Sequence, residues 1–177
     1  SFSDIADKKN IRFAFDSEIE SLFTAFDHDK LERVLFNLLS NAFKFTPTGG
    51  HICVLLSLKA EACADGKQLL EIKVLDTGIG INADKQEKIF ERFFQDNMPQ
   101  NLLNQGSGIG LSITREFVKM HGGEISVESE VGEGSCFTIL LPVIAEHHTS
   151  VTNGAEKIVP ESKKLKDHAA DPARKPL

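Results

Sequence analysis

The stretch Asp27-His28-Asp29-Lys30-Leu31-Glu32-Arg33-Val34-Leu35-Phe36-Asn37-Leu38-Leu39-Ser40-Asn41-Ala42-Phe43-Lys44-Phe45-Thr46-Pro47 carries two patterns at once. Leu31, Val34, Leu35, Leu38, Leu39 and Ala42 recur at helical spacing behind Asp27, a residue type that caps helix N-termini. The run stops before Pro47 and Gly49-Gly50, so the spacing predicts a helix with one apolar face for a core. Asn37, Asn41 and Lys44 recur one turn apart and share a second, polar face of that helix.

Upstream of it, Ile11 to Phe15 and Leu22 to Phe26 are short apolar runs that read as two strands pairing in an antiparallel ribbon. Downstream, Ile52 to Leu58 and Leu69 to Leu75 read as longer strands joined by the polar connection Glu61 to Lys67. Asp84 to Phe94 predicts a short helix, and Gln95 to Gln105 has so little periodicity that it reads as a mobile loop. Helical spacing resumes from Ile109 to His121 and ends at Gly122-Gly123. Glu124 to Ser129 and Ser135 to Leu141 form a hairpin around Val131-Gly132-Glu133-Gly134, closed by Pro142. Strands and helices in segregated groups predict an α+β fold built as an α/β sandwich. Residues 1–144 make one domain, while 145–177 are aperiodic and read as a flexible linker.

Composition narrows the function. The chain of 177 residues is 41% hydrophobic, enough for one core, and its formal net charge is -6. From Ala145 onward six basic residues face five acidic ones, so the negative charge resides in the domain. That balance argues against a nucleic-acid partner, whose phosphates require Lys and Arg. Cys53, Cys63 and Cys136 show no disulfide or zinc spacing, which fits a reducing cytoplasm. No apolar run reaches the length of a membrane span, and Ser1 to Asn10 has no signal-peptide pattern, so the expectation is a soluble domain without direct membrane contact.

Three segments carry chemistry. Magnesium takes hard oxygen ligands, keeps several waters and uses few protein ligands beside substrate phosphates, a role suited to the Asn41 amide oxygen. Asn37 can hold a metal-bound water or a phosphate oxygen, and Lys44 can neutralise phosphate as a point charge; a plain solvated helix face fits the same three residues. Asp76 ends an apolar strand before Thr77-Gly78-Ile79-Gly80, which puts a carboxylate where glycines permit close backbone approach, suited to the exocyclic amine of adenine or to a tight turn. Gly106-Ser107-Gly108-Ile109-Gly110-Leu111 opens a helix, whose amides and positive end can face polyphosphate. A Rossmann site would place such a box in the first βα turn. Phe90, Phe93 and Phe94 cluster before the loop and read first as core.

Taken in order, the boxes resemble the ATP-binding catalytic domain of sensor histidine kinases, within the ATPase superfamily that includes gyrase, a heat-shock chaperone and mismatch-repair proteins. Asn37 to Thr46 is similar to the asparagine box, Asp76 to Gly80 to the first glycine box, Ile89 to Phe94 to the phenylalanine box and Gly106 to Leu111 to the second glycine box. The resemblance implies a mixed, mostly antiparallel sheet covered on one face by helices, with a mobile ATP lid at Gln95 to Gln105. It implies ATP and Mg2+ as cofactors. Asn41 would bind the metal, with Asn37 and Lys44 on phosphate or its metal shell. Phe45, Ile81, Gly78, Gly80, Gly106, Ser107, Gly108, Ile109, Gly110 and Leu111 would line the nucleotide, Asp76 would take the adenine amine and Thr138 would assist through water. Arg33 stands where the family often has Gln, Gln95 where many members have Arg, and Phe45 replaces a frequent Tyr.

The family's acceptor histidine lies in a separate helical dimerisation domain, and its His-Glu box is not in this sequence. The implied partners are therefore that dimerisation and histidine-phosphotransfer domain of the same parent chain and a response regulator receiver domain. Arg174-Lys175-Pro176-Leu177 resembles the lead-in to such a receiver. An ATP-driven clamp of the gyrase or chaperone kind, or a module that binds ATP without transferring phosphate, remain the alternatives.

Overall fold

The computed structural model describes residues 1–60, 67–94 and 108–144. The expected lid, Gly106 and Ser107, most of the connection between the two long strands, and the linker lie outside the described residues. Helix α1 (Phe2–Lys9) leads to strand β1 (Arg12–Ser17), helix α2 (His28–Phe45), strands β2 (His51–Ala60) and β3 (Gln68–Asp76), helix α3 (Gly110–Met120), and strands β4 (Glu124–Glu130) and β5 (Gly134–Pro142).

Helix α2 begins as its sequence predicts: the Asp27 carboxylate accepts the Lys30 N–H at 3.0 Å, satisfying one of the donors orphaned at a helix start. The strands form one sheet in the order β1-β2-β3-β5-β4, with β1 and β2 parallel and the other neighbours antiparallel. Strand alternation sends Ile52, Val54, Ile72, Val74, Phe137 and Ile139 to one face, where they share a core with Val34, Leu38 and Phe43 of α2 and Val118 of α3. Val74 and Ile139 are 0% exposed. The opposite face carries the half-buried Cys53, Leu55, Leu75, Cys136 and Thr138. This is the expected sandwich, with helices on one side of a mixed sheet.

The N-terminal ribbon predicted from Ile11 to Phe15 and Leu22 to Phe26 does not form. Strand β1 pairs instead with β2, in parallel, because α2 supplies the crossover that a parallel pair needs. Ser17 breaks the strand with its hydroxyl, which donates to the Ile19 carbonyl at 2.9 Å. The following segment is held at the exit of β5, where the Ala25 N–H donates to the Ile144 carbonyl and the Ile144 N–H to Thr24 Oγ1.

Two further elements differ from the sequence reading. Helix α1 stands where no element is predicted, with Phe2 stacked on Phe43 at 5.3 Å between ring centroids. The helix predicted for Asp84 to Phe94 is two short 3-10 turns, Ala83–Lys85 and Lys88–Phe90. Gln86 reaches from there to the Ile81 and Ser129 carbonyls, and Phe90 is drawn inward, edge-on to Phe137. Two tight turns meet both attachments within a short span.

Ile139 lies in the middle of the core, so Ile139→Ala removes buried methylenes and leaves a cavity. It is expected to lower the unfolding free energy by roughly 2–5 kcal/mol. Urea denaturation followed by circular dichroism checks this, with a reduced midpoint and an unchanged slope.

Candidate functional site

At one end of the sheet three segments far apart in sequence are hydrogen-bonded to one another. The first is the polar face of α2. The Asn37 amide donates to the Gly110 carbonyl at 3.2 Å and to Thr114 Oγ1 at 3.3 Å, which ties the middle of α2 to the first turn of α3. Asn41, one turn further along, is half-buried, and its side chain makes no hydrogen bond among the described residues. Its amide oxygen is left available on the same face. Lys44 lies over the Phe45 ring, its ammonium 4.9 Å from the centroid.

The second segment is the turn after β3. Asp76 Oδ1 accepts the Gly78 N–H at 2.8 Å, and the Ile79 N–H donates to the Phe45 carbonyl at 3.3 Å. The glycine turn is thereby fastened to the last residue of α2. Gly78 cannot carry a side chain here: a Cβ would lie 2.6 Å from Asp76 Oδ1 and 2.9 Å from the Phe45 carbonyl oxygen. Gly80 adopts φ +72°, and a Cβ there would lie 1.9 Å from the Glu130 carbonyl oxygen.

The third segment is the start of α3. The Phe93 N–H donates to the Gly108 carbonyl at 3.0 Å, so the described residues on either side of 95–107 meet. Ile109 precedes the helix, Gly110 opens it and Leu111 packs against the core. Two ion pairs brace the same junction, Arg92 with Glu116 and Arg115 with Glu87, and the Arg115 guanidinium also lies over the Phe90 ring.

A polar frame supports the turn from behind. The single Ser129 hydroxyl proton goes to the Gly134 carbonyl at 2.7 Å, which can only accept. The Ser135 hydroxyl 2.9 Å away must therefore donate to Ser129 Oγ, which also accepts the Ile81 N–H at 2.8 Å. Ile81, half-buried, is fixed by this bond and by Gln86.

Register decides which hydroxyl accompanies Asp76. Asp76 pairs with Ser135 across β3 and β5, whereas Thr138 pairs with Lys73. Three residues along a strand reverse the face, so Thr138 points to the uncovered side, where it lies 3.9 Å from Cys136 Sγ. Ser135, not Thr138, is the hydroxyl residue paired with Asp76 across β3 and β5. The signal was available in the hydroxyl directly after Gly134, though choosing between Ser135 and Thr138 needs the register. A concavity of about 600 Å³ on the uncovered side touches Cys53, Leu75 and Cys136, and reaches Asp76 but not Asn37, Asn41 or Phe45.

The profile described as Histidine kinase-, DNA gyrase B-, and HSP90-like ATPase matches residues 26–145. Sensor histidine kinase TmoS of Ectopseudomonas mendocina is 44% identical over 155 residues, covering 87% of this chain and 15% of that protein. The catalytic domain of histidine kinase ThkA superposes with a TM-score of 0.67 at 30% identity, covering 81% of this chain and 86% of that one. Full-length ShkA in complex with AMPPNP gives 0.66 at 29% identity, with 81% and 28% covered. ThkA in complex with the response regulator protein TrrA gives 0.62 at 28% identity, with 80% and 37% covered. The chain thus spans only a small part of the length of curated relatives that it matches.

Burial pushes the Asp76 carboxyl above its ordinary value of 3.8, against the Gly78 and Ser135 amides, which pull it down. A carboxyl raised on folding favours the native state when protonated, and that contribution is lost as pH rises from 3.8 through the folded value. Asp76→Asn removes the ionisation. Thermal unfolding across that pH range is therefore expected to show the variant gaining on the wild type as pH rises, with a constant difference once Asp76 is ionised.

Proposed function

The chain belongs to the histidine kinase-, DNA gyrase B- and HSP90-like ATPase family, and from that premise we propose that it binds Mg-ATP and donates the γ-phosphoryl group to a histidine on a separate helical dimerisation domain. The observation that carries this reading is the meeting of Asn37 with Gly110 and of Phe45 with the Asp76 turn, which brings three of the four boxes together at one end of the sheet. The likeness to sensor histidine kinases supports the kinase branch of the family.

Each segment takes a role that suits its chemistry. Asp76 accepts the adenine amine, and Phe45 and Ile81 with Gly78 and Gly80 form the walls around the base. Asn41 fits a magnesium ion: its amide oxygen is hard, neutral and unpartnered among the described residues, leaving the remaining positions to water and phosphate. The ion would supply charge neutralisation across the phosphates. Lys44 adds a point charge, while Asn37, engaged with α3, holds the metal shell or a phosphate oxygen and keeps the helix start in place. The amides from Gly108 to Leu111 meet the phosphates at the positive end of α3.

Phosphoryl transfer depends chiefly on alignment and charge stabilisation, so such a domain needs no nucleophile of its own. The acceptor is supplied by another segment of the parent chain, and the phosphoryl group then passes to a receiver domain. Residues 1–144 form the catalytic domain in this reading, with 145–177 leading toward the receiver. Among the described residues no helix is long and apolar enough to cross a membrane.

Titration calorimetry tests the site. Asn41→Ala and Asp76→Asn are each expected to weaken Mg-ATP binding about tenfold or more, as loss of a charged hydrogen bond or metal ligand would. Unchanged affinity in both variants refutes the site. Adding the helical acceptor domain with γ-labelled ATP then tests the reaction. Acid-labile label on histidine supports transfer, tight binding without label points to a binding module, and ATP-dependent dimerisation with hydrolysis points to a clamp.

A further inference from the structure

Lys9, at the end of α1, sends its side chain to the far end of another helix. Its ammonium donates to the Phe43 carbonyl at 2.6 Å and to the Thr46 carbonyl at 2.9 Å. Both acceptors belong to the end of α2, where the final carbonyls lack intrahelical donors and the helix dipole is negative. A partly buried cation with two carbonyl bonds is a strong cap for such an end. The main chain joins in: the Gly49 N–H donates to the Lys9 carbonyl at 3.1 Å, and the Arg12 N–H to the Gly50 carbonyl at 2.9 Å. Phe2 at the other end of α1 stacks on Phe43.

The two residues enclosed between these carbonyls are Lys44 and Phe45. Phe45 in turn accepts the Ile79 N–H through its carbonyl, so the Asp76 turn hangs from the same short segment. We propose that Lys9 is a positioning residue for the nucleotide site: by capping α2 it fixes the turn that carries Lys44 and Phe45, and it thereby couples the placement of α1 to nucleotide affinity. Lys9 does not touch the nucleotide. The inference rests on the ATP reading above and adds to it a route by which a change at α1 reaches the site. Coupling of this kind is reciprocal, so nucleotide binding must also stabilise α1.

The experiment uses the whole chain and Mg-ATP, with Lys9→Met, Lys9→Arg and, as control, Lys8→Met, which alters an exposed residue of the same helix. Calorimetry is expected to show about tenfold weaker binding in Lys9→Met, since a charged hydrogen bond is worth roughly one such step. Lys9→Arg, which retains a cation with several donors, is expected to stay within about threefold of the wild type. Amide exchange supplies a readout that a merely stabilising lysine would not move. Mg-ATP is expected to slow exchange in α1 of the wild type and of Lys8→Met, but not in Lys9→Met.

Wild-type affinity in Lys9→Met overturns the inference while leaving the ATP site intact, and so does wild-type binding that leaves α1 exchange unchanged. A wild-type chain that does not bind Mg-ATP overturns the site itself and the coupling with it. If Lys9→Met does not fold, Lys9→Gln, which keeps a neutral donor, carries the same comparison with the same outcomes.

Discussion

Everything in this domain depends on two helices burying their apolar stripes on the same face of one sheet. Val34, Leu38 and Phe43 from α2 and Val118 from α3 meet Val74 and Ile139 at the centre, and removal of this surface from water is the main force available to hold the layers together. Because both helices lie on one face, the polar sides they do not bury are brought toward each other. The site is a consequence of that packing: Asn37 can reach Gly110 only because α2 and α3 lie side by side.

Polar groups then do the local work that apolar packing cannot. Helix ends and glycine turns leave backbone donors and acceptors without regular partners, and each buried one must be satisfied. Here they are satisfied across segments. The Phe45 carbonyl receives Ile79, the end of α2 receives Lys9, and Ser129 gathers bonds from Ile81 and Ser135. Such bonds give direction as well as stability, so a nucleotide pocket can be shaped from glycine turns that have no side chains to pack. Asn41 stands apart among these groups, its amide unengaged within the described residues.

The elements legible in advance are those whose causes are local. Helix α2 announces itself through Asp27, a leucine stripe and Pro47, and the hairpin of β4 and β5 through alternation around Gly132 and Gly134. Those that local sequence does not specify depend on distant partners. Helix α1 has eight residues, too few to be stable alone, and its attachment comes from Phe43 and Thr46. The partner of β1 follows from the crossover through α2, and the segment before Phe94 winds into tight turns because Gln86 and Phe90 are held elsewhere.

The same division separates the site residues. The amino-acid sequence alone determined the order of the boxes, the shared face of Asn37, Asn41 and Lys44, and the placing of Asp76 at a strand end, since helical period and glycine chemistry act over a few residues. Only the tertiary structure decided that Ser135 rather than Thr138 stands beside Asp76, and that Lys9 reaches the turn of Lys44 and Phe45. A strand reverses its face at every residue, and a helix end accepts whichever donor the packing brings near. Those choices are made by register and by contact between residues far apart in the chain.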